Sequence, residues 1–148
     1  MKKLINLSLV AISLFFIACN DDETVLDTEK PIVIINSPTA SEEIDSGEQM
    51  DLNATFTDNV ELATYKVEIH FGGDGHEHKT LNNEHEDHIE WNYQTTGVLN
   101  GQADTIQLQI DVPENAEEGL YHLGVYAIDK AGNENVSWIT FDLHNHSN

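Results

Sequence analysis

Seven segments of the chain read as β-strands, and most of them alternate apolar and polar residues, the pattern of half-buried strands. They run IVIIN at 32–36, MDLNATFTD at 50–58, LATYKVEIHF at 62–71, HIEWNYQT at 88–95, TIQLQIDV at 105–112, YHLGVYAID at 121–129 and VSWITFDL at 136–143. Clusters of Gly, Pro, Asn and Asp separate them, and no long stretch has a helical period. Roughly 113 residues with seven short strands suit one all-β, immunoglobulin-like or fibronectin-type β-sandwich, typically of about 100 residues. Alternation also sets facing, because successive strand side chains point to opposite faces. Inward Tyr65, Val67 and Ile69 leave Lys66, Glu68 and His70 outward. Inward Tyr121, Leu123 and Val125 leave His122 outward, and inward Ile139, Phe141 and Leu143 leave Asp142 and His144 outward.

The chain ahead of Pro31 reads differently. Lys2 and Lys3 precede the apolar run LINLSLVAISLFFIA, which ends in the small residue Ala18. This is the layout of a secretory signal peptide over residues 1–18, and it is shorter than the roughly 20 apolar residues of a membrane-spanning helix. Cys19 follows directly and is the one cysteine of the chain. The stretch resembles a bacterial lipobox, in which the sulfur takes a diacylglyceryl group and the cysteine becomes the mature N-terminus. Two or three acyl chains at one residue anchor stably where a single chain does not. With no second cysteine there is no internal disulfide. The following NDDE resembles the acidic signal that sends some lipoproteins to the outer cell surface. The plainer reading is an acidic linker over residues 19–30. The expected location is the outer membrane, surface-exposed, with the periplasmic face as the alternative. The expected organisation is leader 1–18, lipidated Cys19 and linker 19–30, sandwich 31–144 and tail 145–148.

Charge excludes one class of partner. All 27 acidic residues lie after Cys19, and the six cationic residues are all lysine, two of them in the leader. Four lysines against 27 carboxylates leave the mature chain at −23 with histidine neutral. Recognition of a phosphate backbone needs Lys and Arg, so nucleic acid is not an expected partner. A strongly acidic protein draws cations toward itself.

The stretch GLYHLGVYAIDKAGNEN at 119–135 carries a resemblance to strand F and the F–G turn of bacterial Ig-like and fibronectin-type modules. The resemblance implies a tyrosine corner at Tyr121. The chain departs from antibody-type domains: it has no B–F disulfide, and Trp91 and Trp138 sit on the fourth and seventh segments instead of on strand C. More narrowly, DNVELATYKVEIH, DGHEH, GLYH and the D-x-AGN turn, in that order over most of residues 31–143, resemble an uncharacterised family of bacterial lipoproteins with a domain of unknown function. That resemblance implies the fold and the lipoprotein character, and no activity.

Histidine is the remaining signal. IHFGGDGHEHKTLNNEHEDH at 69–88 holds His70, His76, His78, His85 and His88. In an Ig-like sheet strands C, F and G are antiparallel neighbours, so the end of C lies beside the start of F and the end of G. His70, His122 and His144 are then outward on three adjacent strands about 4.8 Å apart, sharing one cation if the registers are level. The connection at 72–87 is long for a compact domain, and loops of that length tend to be functional or disordered. Gly72, Gly73 and Gly75 permit a fold-back that brings His76 and His78 over the strand histidines. Imidazole favours Zn²⁺, Cu²⁺ and Ni²⁺, with Zn²⁺ preferred here and Cu²⁺ close behind. Asp74, Glu77 or Glu68 is a candidate oxygen ligand or orienter, His85 and His88 are secondary candidates, and His146 falls in the tail. The plainer reading is a solvated polar loop. Asp58 and Asn59 supply turn chemistry, with calcium there a minority option, and Asp129 and Asn133 shape a hairpin.

The leading expectation is a non-enzymatic, lipid-anchored envelope protein that binds a divalent transition metal, for capture, buffering or delivery to a transporter or partner protein. The alternative is an interaction, adhesion or glycan-binding module using Tyr126 and Trp138 on the exposed sheet face. A small metallo-hydrolase with Glu77 or Asp74 as base, and a pH sensor, rank below both.

Overall fold

Eight strands form where the alternation places apolar side chains on one face, in a computed structural model that describes residues 26–72 and 88–145. They are β1 (Ile32–Ser37), β2 (Glu43–Asp45), β3 (Gln49–Thr57), β4 (Leu62–Phe71), β5 (Tyr93–Val98), β6 (Ala103–Asp111), β7 (Gly119–Asp129) and β8 (Glu134–His144). One sheet has the order β1-β3-β6, the other β2-β8-β7-β4-β5. Neighbours are antiparallel except β2, which runs parallel to β8. The two sheets close on a core from alternating positions: Met50, Leu52, Ala54 and Phe56 on β3, Val67 and Ile69 on β4, Leu123 and Val125 on β7, Phe141 and Leu143 on β8. Each large apolar side chain buried this way stabilises the fold by roughly 1.5–3 kcal/mol. The fold is the expected all-β, fibronectin-type sandwich.

Two features differ from the sequence reading. The fourth segment was expected to begin pairing at His88, but the paired strand starts at Tyr93 and hydrogen-bonds to β4. Upstream, Ile89 makes only an isolated bridge to Ala116. Trp91 turns inward ahead of the strand, 5% exposed, and its ring contacts Tyr93 and Tyr121. Inward packing of this indole ahead of β5 explains why the alternation began too early. β2 was not foreseen: only Ile44 of its three residues turns inward, too short a run to show a period.

Asp129 is the buried charged residue of the described core, 3% exposed at the turn from β7 into β8. Burial pushes its carboxyl up, but hydrogen bonds from Asn133, Gly132 and Ala131 outweigh this and hold it below the usual value. Asp27, just ahead of β1, is tied to this end of the domain. Asn59 Nδ2 donates to Asp27 Oδ1 at 3.0 Å, and Asn133 Nδ2 donates to Asp27 O at 3.2 Å.

Tyr121, fully buried, forms the tyrosine corner. Its hydroxyl donates to Glu117 O at 2.9 Å and accepts from Trp91 N at 3.3 Å. Replacing Tyr121 with Phe leaves a carbonyl and an N–H without that partner, so Tyr121→Phe is expected to destabilise by about 1–3 kcal/mol. Urea unfolding, read as a lower midpoint with an unchanged slope, measures the loss.

Candidate functional site

The ladder between β4 and β7 pairs His70 directly with His122. Both point away from the core, and their ring centroids lie 5.4 Å apart at 41°. A zinc–nitrogen bond is about 2.0–2.1 Å, so two imidazoles around one tetrahedral ion have centroids roughly 5 Å apart. The observed centroid spacing is close to that value. Gly72 makes room for the second ring: a Cβ there would meet His122 Cδ2 and Nε2 at 2.7 Å. Gly72 N–H donates to Leu120 O at 2.8 Å, which fixes where the chain leaves the sheet beside His122.

The registers are not level for the third strand. β8 pairs Thr140 with His122, so His144 lies four residues further along, beyond the Gly119–Leu143 pair. Four residues of strand amount to about 13 Å, too far to share an ion with His122. His144 Nδ1 instead approaches Glu118 Oε1 at 3.6 Å. The expectation that His144 joins the other two is therefore corrected. His88 sits on the return of the chain, its Nδ1 3.3 Å from Asn145 Nδ2. Asp74, His76, Glu77, His78, His85, His146 and the candidate lipidation residue Cys19 lie outside the described residues.

Around His70 the outer face of the sheet carries a continuous strip of rings and charges. Trp138, 43% exposed, lies across Gly124, where a Cβ would meet the indole at 2.6 Å. Its ring meets His70 edge-on at 5.6 Å and Tyr126 edge-on at 5.7 Å. Tyr126 donates to Glu68 Oε1 at 2.6 Å, and Lys66 Nζ donates to Glu68 Oε2 at 2.7 Å. The same ammonium stands 3.8 Å over the Tyr126 ring. Glu68 is thus engaged through both oxygens and does not offer a free ligand to the imidazoles. An open cleft of about 290 Å³ adjoins His70, lined also by Glu68, Asn92 and Gln94. Sequence reasoning did not single out Asn92 and Gln94, which come beside His70 through the pairing of β5 with β4, and alternation does not report pairing. Gly124 was the readable signal for the Trp138 platform, since a glycine inside a strand often marks a close approach.

The lysine contact lowers the Glu68 carboxyl first, the Tyr126 hydroxyl second. Tyr126 is pushed up to about 12, by burial and then by its bond to Glu68. The folded state therefore holds this proton where the unfolded chain, titrating near 10, releases it. The associated stability is present below about pH 10 and is lost as pH rises toward 12. Phenolate absorbance, taken as the difference from Tyr126→Phe, is expected to show a midpoint near 12, and Glu68→Gln to move it down.

No curated protein matches the sequence. Among solved structures the chain is similar to the fibronectin(III)-like modules of CbhA from Clostridium thermocellum, at 21% identity and a TM-score of 0.43, over 76% of this chain and 94% of that one. It is similar to OgpA from Akkermansia muciniphila at 14% identity and a TM-score of 0.48, over 79% of this chain and 30% of that one. A DUF4466 family protein from Parabacteroides merdae is similar at 9% identity and a TM-score of 0.44, over 74% and 42% of the two chains. Residues 17–144 match the family described as Domain of unknown function (DUF4625), and the chain belongs to it.

Proposed function

We propose that this chain is a non-catalytic, lipid-anchored module of the cell envelope that binds a divalent transition-metal ion through His70 and His122. One observation carries the reading: two imidazoles from adjacent strands face each other at 5.4 Å between centroids, outside the core. Two ligands leave two positions open on a tetrahedral ion. The stretch that begins next to this pair holds His76 and His78, which are the residues assigned to complete the set. Zn²⁺ is the preferred ion, with Cu²⁺ and Ni²⁺ as the competing imidazole binders. The formal charge of −21 over the whole chain favours capture of cations. Buffering the ion or handing it to an envelope transporter or partner protein is the role assigned to the site. Cys19 is the assigned lipid attachment, at the outer membrane.

A second reading rests on Trp138. An exposed indole in contact with His70, which itself lines a cleft with Asn92 and Gln94, suits stacking against a sugar ring or a partner's side chain. Capture of a ligand that ignores chelator and is lost in Trp138→Ala would favour this reading over the metal.

Calorimetric titration of metal-free protein with Zn²⁺ and Cu²⁺ tests the proposal. A dissociation constant near 1 μM or below, about −8 kcal/mol, is expected. His70→Ala and His122→Ala should each weaken it at least about tenfold, or 1.4 kcal/mol, while His144→Ala leaves it unchanged. Bound Cu²⁺ should also quench the emission of Trp138, whose ring is 5.6 Å from His70. Affinity weaker than about 1 mM, or affinity indifferent to both histidines, overturns the reading.

A further inference from the structure

At the pole opposite the histidines three carboxylates converge from three separate segments. Asp58 opens the turn between β3 and β4, Asp129 ends β7, and Asp27 lies on the segment leading into β1. One oxygen from each lies within 4.8 Å of the other two. A calcium–oxygen bond is about 2.4 Å, so oxygens sharing one Ca²⁺ lie no more than about 4.8 Å apart. Such proximity sets three negative charges against one another. The ion pairs of the described residues do not relieve it: Lys66 pairs with Glu68, Lys130 with Glu61 and His144 with Glu118.

A separate observation points to a ligand. Asp58 Oδ1 is buried, with less than 1 Å² accessible, and accepts no hydrogen bond. The other oxygen, Oδ2, accepts the N–H groups of Val60 and Glu61 at 2.9 and 2.8 Å, so the turn accounts for one half of the carboxylate only. A buried carboxylate oxygen gives up its water, and without a partner nothing offsets that loss. Neighbouring carboxylates have no proton to offer when ionised, whereas a cation satisfies all three at once. Asp129, at 3% exposed, is the most deeply buried of the set.

The geometry points to a Ca²⁺ site formed by Asp27, Asp58 and Asp129, which fastens the segment ahead of β1 to the two turns. The donors are all oxygen and carry no imidazole, which selects a hard cation over zinc or copper. A site assembled from three segments suits the flexible six- to eight-fold coordination of Ca²⁺ better than the strict octahedron of Mg²⁺. Water and backbone carbonyls complete the shell. The chemistry is distinct from that of the histidine pair and lies about 27 Å away along β4.

The test is calorimetry and thermal unfolding of the full chain, first stripped with chelator and then given CaCl₂. The expected dissociation constant is that of extracellular calcium modules, about 10⁻⁴–10⁻³ M, with a melting temperature that rises with calcium. Asp27→Asn removes one ligand outside both turns, and should weaken binding about tenfold or more while leaving the melting temperature in chelator no lower than that of the wild type. Asp58→Asn should remove the calcium response. His70→Ala should leave it intact. Absence of heat and of a thermal shift at about 10 mM Ca²⁺, well above the expected constant, overturns the site. So does an equal shift with Mg²⁺, or full calcium affinity in Asp27→Asn.

Discussion

The antiparallel ladder between β4 and β7 is the constraint on which both ends of the molecule depend. It runs from Leu62 opposite Asp129 to Phe71 opposite Tyr121. One end brings His70 against His122, and the other holds Asp129 beside the turn that contains Asp58. A slip of β4 by one residue would turn His70 into the core and Val67 and Ile69 into solvent. Val67, Ile69, Leu123 and Val125 are each 1% exposed or less. At roughly 1.5–3 kcal/mol for each buried side chain, the core resists such a slip more strongly than any surface contact could drive it. The position of the imidazoles is therefore a by-product of hydrophobic packing, and it exists before any ligand arrives.

That dependence explains what was legible in the sequence. β4 was read to the residue, and the inward set on β4, β7 and β8 followed from a period of two. His70 beside His122 followed from the facing and the chain order of the sandwich. Alternation carries no information on register, which is why His144 was misplaced. The hairpin could have supplied it: the tight turn puts Ile128 opposite Glu134, and counting back from there puts His122 opposite Thr140. Asp27 was illegible for another reason. Its role comes from contacts with Asn59 and Asn133, which are 32 and 106 residues away in the chain, and no local period reports such contacts.

The outer face around His70 divides its polar groups between structure and availability. Lys66, Glu68 and Tyr126 satisfy one another through two short hydrogen bonds and a cation–ring contact, so their charges are largely spent internally. Trp138 adjoins this group, touching Tyr126 on one side and His70 on the other. Its place over Gly124 is possible because that position has no Cβ. The arrangement sets the indole against His70, while Glu68, already bonded to Lys66 and Tyr126, lines the same cleft as His70. An imidazole pair beside an exposed indole also couples any ion bound there to an optical signal.

Carboxylates at one pole and imidazoles at the other would, as the two proposed sites, sort cations by hardness, calcium to the first and zinc or copper to the second. The Debye length at physiological salt is about 8 Å, so charges about 27 Å apart scarcely interact through solvent. Occupancy at one end would have to reach the other through β4 and β7, and their close-packed inner faces oppose small displacements. The two proposed sites are thus independent in affinity but not in geometry. Asp27 belongs to the segment that leads back toward Cys19 in the sequence, so the proposed lipid tether would enter at the carboxylate pole. Calcium binding there would fix the direction in which the domain leaves that tether. Since β4 runs from this pole to the other, a domain held in that way would present His70 and His122 at its far end, away from the proposed anchor and toward whatever supplies or receives the proposed metal.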